Sequence, residues 1–472
     1  MQYPSLIGHS AELCRIIKKS SQPADALASD YMRSRKYIGS RDRKFISEIT
    51  FFALRALSAC EYMCETSWLS IAHGNEEISP ICHEIGLICS AWMFGVALNA
   101  FSDEDLCDKS NNFQEIIEHV FKEKCSISDK NIVHRWLETY TQSEKELLSL
   151  LESTASTVNK KTSIAWCFPE WIISSLLTNG LSYEEIRLLA KSLLYPAPLT
   201  LRVKNPKENK RTVQTILQNE GINPDETSLS PAGLRIDKRI NLQQFSVFKE
   251  GFVEVHDEGS QVIGYAVNPS EFDIVLDACA GAGGKSLHIA DLQSDAGEII
   301  STDIEYKRLK EISIRAKRGG YSSIRPILIH PKKDHKDLKR YRGHCDLVLV
   351  DAPCSGMGTV RRMPMAKWRT TQRLIDKLSL NQRSILDHNS QFVKVGGSLI
   401  YATCSFLPQE NIAVITEFLK NNPHFIPENL SEIMSQHSIY PEGMHENSHY
   451  LTLYPSVHKT DGFFVARMKR IS

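Results

Sequence analysis

The chain has 472 residues in which 56 Lys and Arg balance 56 Asp and Glu, so length predicts two or three domains and net charge alone identifies no partner. The N-terminus lacks a charged-then-apolar signal pattern, and no stretch reaches about 18 uninterrupted apolar residues, so neither a leader nor a membrane span is expected, and a soluble cytoplasmic protein is. The twelve cysteines include no CxxC pair. Burial as small hydrophobes is therefore expected for Cys60, Cys64, Cys82 and Cys89, and no metal is expected.

Residues 1–150 carry apolar side chains at helical spacing, for example Leu13, Ile16 and Ile17, then Phe45, Ile46, Ile49 and Phe52. An all-helical bundle is predicted, with Ser40 as a helix cap and Asp42 in the first turn of the same helix. Residues 151–240 read as a small α+β module: helices over FPEWIISSLL and SYEEIRLLAKSLL, a short strand LTLRV at 199–203, and a helix RTVQTILQNEGI that ends at Gly221. The stretch NPDETSLSPAG reads as a linker or turn. From 241 to 472, strands alternate with helices at the spacing of a doubly wound parallel sheet, so the fold class is multidomain, ending in an α/β Rossmann-like domain.

In that last region a strand at 274–280 opens into a turn containing Gly281, Gly283 and Gly284, followed by a helix starting near Lys285. The next strand, EIISTD, delivers Asp303, where a carboxylate can accept hydrogen bonds from ribose hydroxyls. Ser286 stands where a dinucleotide fingerprint needs its third glycine, and no GxxxxGKS spacing exists for a nucleoside triphosphate. S-adenosylmethionine fits better, because it has the ribose and lacks the pyrophosphate.

Two further strands, CDLVLV and GSLIYA, end in DAPCSG and YATCSF, which puts Cys354 and Cys404 at strand carboxyl ends, where open α/β sheets keep their ligands. Cytosine C5 is a poor nucleophile, but a thiolate that adds to C6 turns the ring into an enamine able to attack an electrophilic methyl. Asp351 is the candidate for contacting N3 and the exocyclic amine, and a second cysteine or its neighbours could assist removal of the C5 proton. Between Lys307 and Arg342 there are 13 Lys and Arg against 3 Asp and Glu, and Arg361, Arg362, Lys367 and Arg369 follow. That local excess suits a polyanion such as RNA, although a charge run is also what a solvated helix face looks like.

The segments VHDEGSQ, DACAGAGGKS, DAPCSGMGTVRRMPMAKWR, YATCSFLPQEN and TDGFFVA resemble the signature motifs of the RsmB/Sun (NSUN-type) RNA 5-methylcytosine methyltransferases. QPADALASDYMRSRKYIGSRDRKFISE is similar to the NusB-like bundle of the bacterial RsmB branch, and LTLRVKNPKENKRTVQTILQNEGI resembles its connecting module. The resemblance implies a NusB-like RNA-binding domain (1–150), a connecting module (151–240) and a methyltransferase domain (241–472). It implies that Cys404 is the nucleophile and that Cys354 assists product release. Cys279, Ala280, Gly281, Ala282, Gly283, Gly284, Lys285, Asp303 and Asp351 would line the S-adenosylmethionine pocket, with Lys285 also close to the reacting base. Relatives often place a Gly-Asp after the next strand; here ILIHPKKDHKD offers Asp334 first and Asp337 second.

Methylation of cytosine C5 in 16S ribosomal RNA by a cytoplasmic monomer is thus the expectation. Two alternatives stand beside it. A DNA cytosine methyltransferase with Cys354 as nucleophile would have glutamine where this chain has Ser355, and a large recognition insertion; a non-catalytic RNA-binding assembly factor would have no need of Cys354, Cys404 and Asp351.

Overall fold

The computed structural model describes residues 1–71, 78–101, 106, 112–153, 159–237, 240–330 and 335–472. The chain divides into two compact units, Met1–Pro196 with Thr359–Thr370, and Ala197–Gly358 with Thr371–Ser472. The expected middle segment 151–240 is shared between them.

The first unit is helical. Its longer helices span Tyr3–Lys19, Ser40–Arg55, Leu57–Ile71, Pro80–Ala97 and Lys130–Glu152. Their apolar stripes meet in an aromatic core where Trp68 stacks on Phe121 with ring centres 5.1 Å apart and Phe121 meets Trp136 edge-on at 5.2 Å. Gly86 permits this approach, since a Cβ there would lie 2.5 Å from Trp68 Nε1. Pro80–Ala97 is long and apolar enough to cross a membrane by composition, but it is largely buried among its neighbours and serves as the core helix of the bundle. Cys60, Cys64, Cys82 and Cys89 are buried free thiols, as the spacing predicted.

Two expectations fail in this unit. Ser40 is the first residue of its helix rather than the cap, and extended Gly39 occupies that position without a side-chain bond; Asp42 does lie in the first turn, where it also accepts from the Met1 ammonium at 3.1 Å. The segment Thr359–Thr370 is not a free basic surface. Lys367 is completely buried against Trp368 and Phe168, Arg361 is only 8% exposed, Trp368 Nε1 donates to the Leu54 carbonyl at 2.7 Å, and Arg369 donates to that of Ile17 at 2.6 Å. Apolar Met365 and Trp368 carry their cationic neighbours into the packing, which a count of charges cannot reveal.

The second unit begins with an antiparallel sheet of β1 (Leu199–Val203), β2 (Asp225–Glu226), β3 (Gly233–Ile236) and β4 (Val253–Val255), in the order β2-β3-β1-β4. β2 falls within the stretch read as a linker, a two-residue strand too short to give an alternating pattern. A larger mixed sheet follows: β5 (Ile274–Asp277), β6 (Glu298–Asp303), β7 (Ile324–Leu328), β8 (Cys345–Asp351), β9 (Val393–Thr403), β10 (Phe425–Pro427), β11 (Tyr450–Leu453) and β12 (Phe463–Arg470). Its order is β10-β12-β9-β8-β5-β6-β7, with β11 paired to β12. The five strands β9-β8-β5-β6-β7 run parallel, β12 runs antiparallel to β9, and β10 and β11 each pair antiparallel with β12, so the sheet is Rossmann-like with an antiparallel extension.

β5 is shorter than the predicted 274–280. Its pairing stops at Asp277, and Gly281 and Gly283 take positive φ (55° and 83°) to swing the chain into the helix Gly284–Leu292.

Candidate active site

The chain leaves β5 toward β6 and β7 on one side and returns through β8 and β9 on the other, so the strand order reverses between β5 and β8. At such a switch point the loops part and open a crevice at the carboxyl ends. The glycine turn from β5 and the Asp351–Gly356 loop from β8 flank it. Gly283 is required by space as well as φ, since a Cβ would lie 2.8 Å from Ile312. Above Gly281, by contrast, a Cβ would meet nothing within 4 Å, so the turn is open on the crevice side.

Asp303, at the end of β6, accepts the Gly281 amide at 3.0 Å and the Glu305 amide at 2.8 Å. A carboxylate offers about four acceptor positions, so two remain for a ribose. Arg315 props the same turn by donating to the Ala282 carbonyl at 2.7 Å, and Glu254 of β4 holds that guanidinium at 2.9 Å. Asp277 lies beneath. Burial lifts its carboxyl to about 7 against the hydroxyl of Ser286, which donates to it at 2.6 Å, and the charge of Asp351 adds to the rise. Its Oδ1 has no partner among the described residues.

Lys285 reaches across from the glycine-turn helix to Asp351 Oδ2 at 2.6 Å. Burial opposes the charge on this lysine, but the Asp351 carboxylate outweighs it and raises the ammonium above its ordinary value. One strand over, the thiols of Cys354 and Cys404 are 3.2 Å apart. The bond to Cys404, then burial and the charge of Glu410, push Cys354 well above the ordinary thiol range. Cys279 is also pushed up by burial, with Asp277 and Asp351 adding to the effect.

Cys279 to Lys285, Asp303, Asp351, Cys354 and Cys404 therefore all gather at the β5, β6, β8 and β9 ends. Asp334 lies outside the described residues, and Asp337 is exposed on a 3-10 turn. In the basic run, Arg315 and Arg318 are engaged with Glu254, while Lys307, Lys310 and Lys317 are exposed. Single-residue reasoning missed Asp277, Arg315 with Glu254, and Glu410. Glu410 lies inside the quoted YATCSFLPQEN, and a carboxylate six residues beyond a strand-end thiol was the available signal.

Residues 264–469 match the family described as 16S rRNA methyltransferase RsmB/F. The chain is 30% identical over 312 residues to the ribosomal RNA small subunit methyltransferase B of Shewanella oneidensis, covering 66% of this chain and 68% of that one. It is 31% identical over 304 residues to the probable ribosomal RNA small subunit methyltransferase B of Bacillus subtilis, covering 64% and 66%. With the 28S rRNA (cytosine-C(5))-methyltransferase of Mus musculus it shares 28% identity over 67% of this chain and 40% of that one. The crystal structure of PH0851 shares the fold, with a TM-score of 0.70 at 22% identity and 99% of both chains covered.

Proposed function

Because the chain belongs to the 16S rRNA methyltransferase RsmB/F family, we propose that it methylates cytosine C5 of 16S ribosomal RNA through a covalent bond from Cys404 to C6. The observation that carries this reading is the thiol pair at 3.2 Å, set on adjacent parallel strands beside the Lys285–Asp351 pair.

The residues fit S-adenosylmethionine: Asp303 retains acceptor positions for a ribose, the Gly281 turn is open, and the partnerless Asp277 oxygen keeps the floor polar. When bound, this cofactor supplies the electrophilic methyl group. Cys279 through Gly284, Lys285, Asp303 and Asp351 would hold it, with Asp334 as the further carboxylate.

Cys404, its thiol proton released to solvent, attacks C6 with the Cys354 thiol 3.2 Å away. As the sulfur–carbon bond forms, N3 takes a proton supplied through the Lys285–Asp351 pair, while the Asp351 carboxylate accepts from the exocyclic amine. The enamine then takes the methyl at C5. Loss of the C5 proton to a base restores the C5–C6 double bond and breaks the bond to Cys404, the departing sulfur takes a proton from the Cys354 thiol, and N3 returns its proton through the Lys285–Asp351 pair.

In this reading residues 1–150 form a NusB-like RNA-binding domain, 151–240 connect, 241–472 carry catalysis, and the protein acts as a monomer in the cytoplasm. Incubation with methyl-labelled S-adenosylmethionine and either 16S rRNA or duplex DNA, followed by nucleoside analysis, tests it. Label in 5-methylcytidine from RNA alone is expected. Label in DNA would revive the DNA-type arrangement, and RNA binding without label would leave an assembly factor.

A further inference from the structure

The two strand-end loops that carry the thiols are tied together by one buried carboxylate. Glu410 is completely buried on the short turn Pro408–Glu410 after β9. Its Oε1 accepts the Ser355 amide at 2.8 Å and Gln382 Nε2 at 3.0 Å, and its Oε2 accepts the Ser355 hydroxyl at 2.5 Å. Gln382, from the helix Gln372–Ser390, also donates to the Pro353 carbonyl at 3.1 Å, and Tyr401 donates to the backbone carbonyl of Glu410 at 2.6 Å. Pro353 and Ser355 flank Cys354, and the Gly358 amide donates to the Cys404 carbonyl at 2.9 Å.

A carboxylate shut away from water is stable only with donors around it. Here the donors come from the Cys354 loop and from the helix behind that loop. Backbone pairing alone fixes β8 against β9 only as far as Asp351 and Ala402. Beyond that point the loops are joined by the Gly358–Cys404 backbone bond, by a 3.4 Å contact between the Ser355 and Ser405 hydroxyls, and by the Glu410 carboxylate, which ties the β9 exit to the amide and hydroxyl of Ser355, next to Cys354.

We infer that Glu410 is a positioning residue that clamps the Cys354 loop onto the Cys404 loop and sets the spacing of the two thiols. This deepens the proposed function and rests on its assignment of the thiols. The clamp also places a negative charge beside Cys354. The titratable groups around that thiol are Cys404, Glu410 and, across the sheet, Tyr401, so removing the charge of Glu410 acts on Cys354 directly.

The test is alkylation of the full-length protein with iodoacetamide from pH 6 to 10, reading the Cys354 and Cys404 peptides separately by mass spectrometry, in wild type and Glu410→Gln. Glutamine keeps the size and one acceptor oxygen. The midpoint for Cys354 should fall, and methyl transfer should slow at least tenfold in kcat with KM for S-adenosylmethionine within twofold. An unchanged Cys354 profile would overturn the inference. If Glu410→Gln does not fold, Ser355→Ala removes the hydroxyl tie alone; a fall in kcat at constant KM supports the clamp, and an unchanged kcat overturns it. The thiol assignment is read separately, from the wild-type profile. Cys354 reacting before Cys404 near neutral pH would sink the nucleophile reading, while a shift on Glu410→Gln would still establish the clamp.

Discussion

Asp277→Asn makes the buried end of β5 report on its own protonation. Burial raises the Asp277 carboxyl from 3.8 to about 7. A raised carboxyl contributes stability that is fully present below the unfolded value of 3.8 and lost as pH climbs through 7. At 1.36 kcal/mol per pH unit the whole shift corresponds to roughly 4 kcal/mol. Of this, roughly 1 to 2 kcal/mol is already lost at pH 5 and nearly all is lost at pH 8, so the window between them holds roughly 2 to 3 kcal/mol. Asparagine keeps an oxygen for the Ser286 hydroxyl and cannot ionise. Urea unfolding of both proteins at half-unit steps from pH 5 to 8 should show wild type losing roughly 2 to 3 kcal/mol relative to the variant over that range. Parallel curves would mean that Asp277 is ionised throughout, and the account of the pocket floor would be wrong.

Asp303→Asn removes the charge that a ribose would meet while keeping one backbone acceptor, and should weaken S-adenosylmethionine binding by roughly 1.5 to 3 kcal/mol; equal affinity in titration calorimetry would reject the cofactor site. Lys285→Gln should lower the single-turnover rate of methyl transfer about a hundredfold or more, the usual range for a lost proton donor. A rate within threefold of wild type would remove Lys285 from the proton path. Lys367 is held down to about 8, chiefly by burial, so its charged form costs stability below that pH, a cost that fades as pH rises toward 10.5. Lys367→Met should therefore stabilise the protein by roughly 2 to 3 kcal/mol at pH 7 and leave the salt dependence of RNA binding unchanged. A reduced salt slope would return this lysine to the RNA surface.

The parallel strands were legible because each is a short apolar run ending in polar or glycine-bearing chemistry, and that punctuation puts Asp303, Asp351, Cys354 and Cys404 at one sheet edge. The Asp303 contact with Gly281 follows from the same pattern. Other features depend on contacts between residues far apart in the chain. Lys367 looks like part of a basic patch until Phe168, some two hundred positions earlier, is found packed against it. Glu410 carries no local sign that it will be buried, because its donors sit on the Cys354 loop and on a helix between the two motifs. Arg315 likewise reads as one more cation on a helix, and only the return of β4 supplies Glu254 to aim it at the glycine turn.

The thiol roles are tested most directly by trapping the enzyme on RNA. Cys354→Ala and Cys404→Ala proteins are incubated with 16S rRNA and S-adenosylmethionine, and the products are resolved by denaturing electrophoresis. Cys354→Ala leaves the attacking thiol intact and removes the group that assists its departure, so a protein band shifted by RNA should persist. Cys404→Ala should give neither methylation nor a shifted band. An adduct formed by Cys404→Ala and absent from Cys354→Ala would contradict the account and make Cys354 the nucleophile.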